Sequence, residues 1–145
     1  MTAYVLDASI AAKWVLPLRH EPLAAEAMRL LDRFIAGEIR FLVPDLFWPE
    51  IANVLWKSVR LGRTSGQSAR EANKWIQALG IPTRPTAHLV GDALTLALDS
   101  DRTVYDSLYV ALAIVAGRFF LTADEKLVNA LGARLPVRWL RSSTV

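Results

Sequence analysis

The sequence predicts an α/β fold in which a small, mainly parallel central sheet is covered by helices on both faces. Short apolar runs typical of buried strands alternate along the chain with longer segments of helical periodicity. The 145 residues are the size of one domain, and 53% of them are hydrophobic, which allows a sizeable core. Because residues 1–145 contain no repeat, linker or low-complexity segment, we expect a single domain.

The strands are predicted from short apolar runs rich in β-branched and aromatic residues. The first, Tyr4–Leu6, ends in a single aspartate, Asp7, and a helix-like stretch follows directly. Three further strands and a weaker fifth are expected at Arg40–Val43, Phe119–Leu121, Val137–Leu140 and Ile81–Arg84.

The helices are predicted from apolar residues that recur every three or four positions and from a glycine that follows most of these segments. Thr64 and Gln67 resemble a capping box for the third helix. Pro49 disfavours helix for Trp48, so regular helix should start at Pro49, after a turn at Pro44 and Asp45. The predicted helices are Pro22–Ala36, Glu50–Leu61, Ser65–Leu79, Thr86–Leu98, Asp106–Ala116 and Asp124–Leu131.

The composition favours a soluble cytoplasmic protein. There is no cysteine, which excludes a disulfide framework and a thiolate metal site and fits a reducing compartment. No basic region precedes the first apolar run, and Asp7 interrupts that run, so we do not expect a signal peptide. The longest apolar run, Leu108 to Gly117, is too short to span a bilayer.

The net charge is +3, and thirteen of the seventeen basic residues are arginine. Arginine forks onto phosphate oxygens with two parallel hydrogen bonds, so the charge admits a nucleic-acid partner. A solvated basic surface explains it equally well.

Four acidic residues are predicted to share one edge of the sheet. Asp7 ends the first strand, Glu50 and Asp124 stand at the start of helices that follow strands, and Asp106 opens the helix that precedes the third long strand. Because strand-to-helix junctions of a parallel sheet lie at its carboxyl edge, these side chains should converge there.

Each acid also has an ordinary explanation, since carboxylates are favoured at helix N-termini. That explanation does not account for four acids on one edge, where carboxylates repel one another unless a cation is bound. Oxygen ligands without cysteine indicate Mg²⁺ or Mn²⁺. The two histidines, His20 and His88, have no ligand-like spacing and are interpreted as surface or structural residues. A carboxylate-held Mg²⁺ in a basic protein suggests phosphodiester chemistry.

Four stretches resemble motifs of the PIN-domain ribonucleases, in particular VapC-type toxins of toxin–antitoxin pairs. They are "VLDASIAAKW", "VPDLFWPEIANVL", "VYDSLYVALA" and "FLTADEKL", and they occur in the family's order across nearly the whole chain. The resemblance implies a PIN-like three-layer α/β/α sandwich and Mg²⁺- or Mn²⁺-dependent RNA cleavage. It also implies a homodimer and inhibition by a small cognate, VapB-like antitoxin.

By the same resemblance, the family's acidic metal site corresponds to Asp7, Glu50, Asp106 and Asp124. Ser9 matches a small polar residue that supports such a site, and Thr122 matches the hydroxyl residue of the family's Thr-x-Asp pattern. Asn53 lies one turn after Glu50 and either supports the site or faces solvent.

Aromatic and acidic residues near the motifs receive simpler interpretations. Tyr105 and Tyr109 are expected mainly to pack, and base stacking is the second option. Asp99 and Asp101 are expected in a solvent-exposed loop. Core packing is the default for Trp14, Trp48 and Trp56, and a groove for an apolar antitoxin helix is the alternative.

Two rival classes of protein fit the sequence poorly. A haloacid-dehalogenase-like phosphatase requires a second aspartate where the chain has Ser9. A receiver domain requires paired acids near the first strand, and the sequence shows no such pair. The remaining rival is a catalytically silent PIN-fold interaction module, which sensitivity of RNA cleavage to EDTA would separate from an enzyme.

Overall fold

The computed structural model describes residues 2–17 and 21–142. The interpretation of His20 as a surface or structural residue therefore lies outside the described residues. Five parallel strands form one sheet with the order β3-β2-β1-β4-β5. The strands are β1 (Thr2–Leu6), β2 (Ile39–Pro44), β3 (Thr83–Arg84), β4 (Phe119–Thr122) and β5 (Val137–Trp139).

The central position of β1 follows from its sequence. Tyr4, Val5 and Leu6 are all buried, so this strand is covered on both faces. Val5 pairs with Leu42 of β2 on one side and with Phe120 of β4 on the other. The strand that ends in Asp7 is therefore the middle of the sheet.

Seven α-helices form the two outer layers within the described residues, and they confirm the predicted three-layer α/β/α sandwich. Tyr4 and Leu6 pack in a core cluster with the first four helices, whereas Val5 packs with the last three. The helices are α1 (Ala8–Val15), α2 (Ala24–Ile35), α3 (Phe47–Arg60), α4 (Gly66–Gln77), α5 (Val90–Ser100), α6 (Val104–Ala116) and α7 (Glu125–Leu131), with short 3-10 turns at Ala87–Leu89 and Leu140–Ser142. None of the described helices is both long and apolar enough to cross a membrane.

Several predicted helix starts were wrong by one to three residues. Helix α3 begins at Phe47, two residues before Pro49, because the N–H groups of a first turn need no intrahelical partner and proline is tolerated there. The cap of α4 is Ser65, whose hydroxyl accepts from the Ser68 N–H at 3.0 Å, whereas Thr64 pairs with Ser58.

Two further boundaries differ near the ends of predicted elements. The segment predicted as one helix from Thr86 is a 3-10 turn followed by α5, which continues to Ser100. Leu140, predicted to end the last strand, begins the 3-10 turn after β5.

Candidate active site

Asp7 extends β1 by one residue at the carboxyl edge of the sheet. Its backbone is extended, with φ −77° and ψ 142°, and its N–H donates to the Leu121 carbonyl of β4 at 3.0 Å. Helix α1 starts at the next residue, Ala8. The side chain of Asp7 is thereby fixed at the centre of the edge where all five strands end.

Two hydroxyl groups hold the Asp7 carboxylate. The Ser9 hydroxyl donates to Asp7 Oδ2 at 2.8 Å, and the Thr122 hydroxyl donates to the same oxygen at 2.6 Å. Each hydroxyl oxygen also accepts a backbone N–H of the segment after β4, from Ala123 at 3.2 Å and from Asp124 at 3.0 Å respectively. Ser9 and Thr122 therefore orient Asp7 and tie β1 to the start of α7.

Glu50 and Tyr109 form a second link across the edge. The Tyr109 hydroxyl donates to Glu50 Oε1 at 2.7 Å, which joins α6 to the first turn of α3. Tyr109 is 1% exposed, and its ring stacks on Phe120 with centroids 5.0 Å apart. Tyr109 therefore packs, as predicted. Its hydrogen bond to Glu50 was not predicted from the sequence.

Asp106 and Asp124 lie at two helix N-termini that face the same edge. Helix α6 is capped by Thr103, whose hydroxyl accepts the Asp106 N–H at 3.1 Å, so the prediction that Asp106 itself opens the helix was wrong. Asp106 instead lies in the first turn of α6, beside the capping residue Thr103. Asp124 is the cap of α7, and its Oδ1 accepts the Leu127 N–H at 3.2 Å.

The carboxylates interact electrostatically. Burial raises the pKa of Asp7, the hydrogen bonds from Thr122 and Ser9 offset part of this, and the charge of Asp106 raises it further. Burial likewise raises the pKa of Glu50 to about 7, although Tyr109 lowers it, and Asp7 and Asp106 add to the increase. Burial and the charge of Asp124 raise the pKa of Asp106, against the opposing effects of Thr103 and Arg102. All four acids thus belong to one electrostatically coupled group.

The residues present fit a divalent cation by their chemistry. Their donor atoms are carboxylate oxygens, which divalent cations prefer. A bound cation would offset both the cost of burying these charges and their mutual repulsion, the two causes of the raised pKa values. Among residues 2–17 and 21–142, no group of three or more His, Cys, Asp or Glu side chains is arranged so that it could hold a metal ion. The four acids lie at one edge of the sheet, but their carboxylates do not surround a single position.

Other predicted residues lie outside this group. Asn53 is exposed on α3 and has no described contact with the acids. Asp99 and Asp101 are exposed, as predicted, although Asp99 belongs to α5 instead of a loop. His88 is exposed too. Tyr105 is 62% exposed, so the prediction that it packs was wrong.

The tryptophans divide between interior and surface. Trp14 donates its indole N–H to the Ala27 carbonyl at 2.8 Å, and Trp48 donates to the Thr83 hydroxyl at 2.9 Å. Both are half-buried at the edge of the core. Trp56, in contrast, is 54% exposed, so core packing is wrong for this residue.

Comparison with known proteins agrees with the fold. A family model of the PIN domain matches residues 4–131. Ribonuclease VapC3 of Pyrobaculum aerophilum is 35% identical over 131 residues, which cover 89% of this chain and 95% of that protein.

Two solved structures share the fold at lower identity. PAE2754 from Pyrobaculum aerophilum superposes with a TM-score of 0.72 and 22% identity, over 97% of this chain and 91% of that one. A toxin–antitoxin complex from Klebsiella pneumoniae contains a chain with a TM-score of 0.61 and 13% identity, over 93% of this chain and 95% of that one. With the family model and the VapC3 relative, the chain belongs to the PIN-domain family, as a nuclease of the VapC type.

Proposed function

We propose that this chain is a Mg²⁺-dependent endoribonuclease, with Mn²⁺ as a possible substitute, and the toxin of a type II toxin–antitoxin pair. The observation that carries the proposal is the coupling of Asp7, Glu50, Asp106 and Asp124 at the carboxyl edge. The 35% identical relative named a ribonuclease supports RNA as the substrate.

The chain's own residues have separable roles in this proposal. Asp7, Glu50, Asp106 and Asp124 would hold the divalent ion, which when bound supplies an activated water and offsets charge on the phosphodiester oxygens. Ser9 and Thr122 orient Asp7 through its Oδ2, and Tyr109 orients Glu50 through Oε1. Asn53 has no described contact with these acids, and its role in supporting the metal site stays a prediction.

Metal dependence and variant dependence of RNA cleavage test the proposal together. We expect labelled single-stranded RNA to be cleaved in Mg²⁺ and to stay intact in EDTA. Asp7→Asn and Asp106→Asn should each abolish cleavage, whereas Asp99→Asn, an exposed acid on α5, should leave it unchanged. Cleavage that is equal in EDTA, or no cleavage of RNA at all, contradicts the proposal and favours an interaction module.

The proposed biological setting is a cytoplasmic toxin held inactive by a small VapB-like antitoxin. The structural likeness to a chain of a toxin–antitoxin complex supports such a partner. A basic side chain from the antitoxin could fill the acidic edge in place of metal. Expression of the chain alone should arrest growth, and harmless high-level expression without a copurifying peptide would contradict this part.

We also propose a homodimer and a single-domain chain. Apolar side chains stand exposed on α5 and α6, among them Leu98 at 76% and Val115. A second copy would remove such side chains from water. Sedimentation of the purified chain should give the mass of a dimer, and a monomer at every concentration contradicts this part.

A further inference from the structure

A basic and aromatic stripe runs along α3, away from the acidic edge. The exposed residues of this helix share one face, on which Asn53, Trp56, Lys57 and Arg60 follow Glu50 at helical spacing. The stripe from Asn53 to Arg60 is about 10 Å long. Its far end at Arg60 lies about 15 Å along the helix from Glu50, the length of about four stacked nucleotides.

The charge of the chain is concentrated on the α3–α4 hairpin that carries this stripe. The hairpin, residues 47–77, holds five basic and two acidic residues, whereas the rest of the chain holds twelve basic and twelve acidic residues. None of the five has a carboxylate oxygen within 4.0 Å among the described residues, where the ion pairs are Lys13–Glu21, Arg29–Glu26 and Arg33–Glu38. The basic charges of the hairpin are thus left for a partner.

Trp56 is the aromatic element of the stripe. Its ring is 54% exposed, and the Arg60 guanidinium lies 5.1 Å from the ring centroid. Asn53, Trp56, Lys57, Arg60 and Leu61 together line a groove of about 440 Å³. Proteins that bind single-stranded nucleic acid use a flat ring beside cations, because every base has a face that stacks and every linkage has a charged phosphate.

A protein segment fits this groove less well. Covering Lys57 and Arg60 with an apolar helix would bury two charges without partners, which is strongly unfavourable. The phosphates of RNA, in contrast, pair with such charges and release counterions.

We propose that this stripe, consisting of Asn53, Trp56, Lys57 and Arg60, binds the single-stranded RNA next to the cleaved bond and leads it to the acidic edge. The proposal rests on the proposed ribonuclease function and adds the path that the substrate takes. Trp56 stacks on a base, and Lys57 and Arg60 contact phosphates along α3.

The test measures RNA binding without cleavage. The full chain is titrated into a fluorescein-labelled oligouridylate of about twelve nucleotides. Fluorescence anisotropy is recorded in EDTA at KCl concentrations from about 50 to about 200 mM. EDTA removes metal-dependent cleavage but not binding, so the result does not depend on whether the proposed catalytic activity is correct.

We expect Trp56→Ala to weaken binding about fivefold or more. Lys57→Gln and Arg60→Gln should each reduce the slope of log K against log salt by about 0.7, and Arg60→Lys should keep the slope. The matched controls are Trp75→Ala, an exposed tryptophan on α4 that does not line this groove, and Arg134→Gln, an exposed arginine after α7. Both controls should bind as the wild type does.

Three outcomes overturn the proposal. The first is a wild type that does not bind the oligouridylate at low salt. The second is equal weakening by the stripe variants and the controls, which would indicate non-specific charge. The third is unchanged binding by folded Trp56→Ala, which would assign Trp56 to the apolar groove that it lines with Ala52 and Val59, a surface for a protein segment.

Discussion

The Tyr109 hydroxyl donates to Glu50 Oε1 over 2.7 Å and so fixes an acid of α3 from a buried position on α6. The bond stabilises the ionised form of a carboxylate whose pKa burial raises to about 7. Glu50 thus titrates near neutral pH, and Tyr109 opposes its protonation.

Removal of this hydroxyl should move the acidic limb of the activity profile to higher pH. In Tyr109→Phe the pKa of Glu50 rises further, because a hydrogen bond to its charged form is lost. We expect the acidic limb of kcat/KM for RNA cleavage to shift upward by about one pH unit at subsaturating Mg²⁺. Tyr105→Phe is the matched control, because Tyr105 is exposed one residue before Asp106. An identical limb in both variants would mean that Glu50 does not control the profile.

The raised pKa values also predict how stability depends on pH without metal. A carboxyl with a raised folded-state pKa stabilises the fold at low pH, and this contribution is lost as pH rises through the folded pKa. For Glu50 the loss falls between pH 4.5, its ordinary pKa, and about pH 7. Because Glu50 is partly exposed, solvent screening should keep the loss below the ~3 kcal/mol that the full pKa shift corresponds to. Thermal unfolding in EDTA should therefore show the midpoint falling over this range, and less so in Glu50→Gln. A midpoint equally pH-dependent in both proteins would contradict the assignment.

Asp106 and Asp124 should respond differently to alanine substitution, because only Asp124 is a cap. In EDTA, Asp124→Ala should lose about 1 kcal/mol through the lost Leu127 contact. Asp106→Ala should be neutral or stabilising, since Thr103 supplies the cap of α6 and repulsion within the group falls.

Excess Mg²⁺ should make the wild type more stable than Asp106→Ala. The wild type gains stability from binding in proportion to ln(1 + [L]/Kd), and Asp106→Ala does not. Thermal unfolding of both variants with and without Mg²⁺ gives the comparison. Equal losses in both conditions would leave Asp106 without a role in metal binding.

Thr122 should matter through its hold on Asp7. Thr122→Val keeps the volume of a fully buried side chain but removes the 2.6 Å bond to Asp7 Oδ2. We expect cleavage activity to fall about 10- to 100-fold, together with a higher Mg²⁺ requirement. Thr95→Val serves as the control, because Thr95 is exposed and its hydroxyl donates to the Gly91 carbonyl within α5. Unchanged Mg²⁺ dependence in Thr122→Val would assign Thr122 to packing alone.

Much of the fold could be predicted from local patterns. Apolar runs located four of the five strands, and the weaker pattern at Ile81–Arg84 located the remaining one, β3. Helix starts were less predictable, because Ser65, Thr103 and their neighbours offer several hydroxyl caps within a few residues. The choice between them depends on tertiary contacts, such as the pairing of Thr64 with Ser58.

The candidate site was predictable in its acids and less so in its supports. Ser9 and Thr122 contact Asp7 as the resemblance implied, whereas Asn53 faces solvent. The role of Tyr109 was missed because its partner, Glu50, is 59 residues away in sequence. One signal was present, since Tyr109 lies one turn after Asp106 on the same helix face.

The chemistry of the RNA ends is the most direct test of the central claim that the four acids support metal-dependent hydrolysis. Purified wild type should be incubated with 5′-labelled and 3′-labelled RNA in Mg²⁺, and the ends of the products identified. The account predicts a 5′-phosphate and a 3′-hydroxyl, formed only with metal and absent with Asp7→Asn, because water attacks the phosphorus. A 2′,3′-cyclic phosphate would contradict it, since that product arises from attack by the RNA's own 2′-hydroxyl.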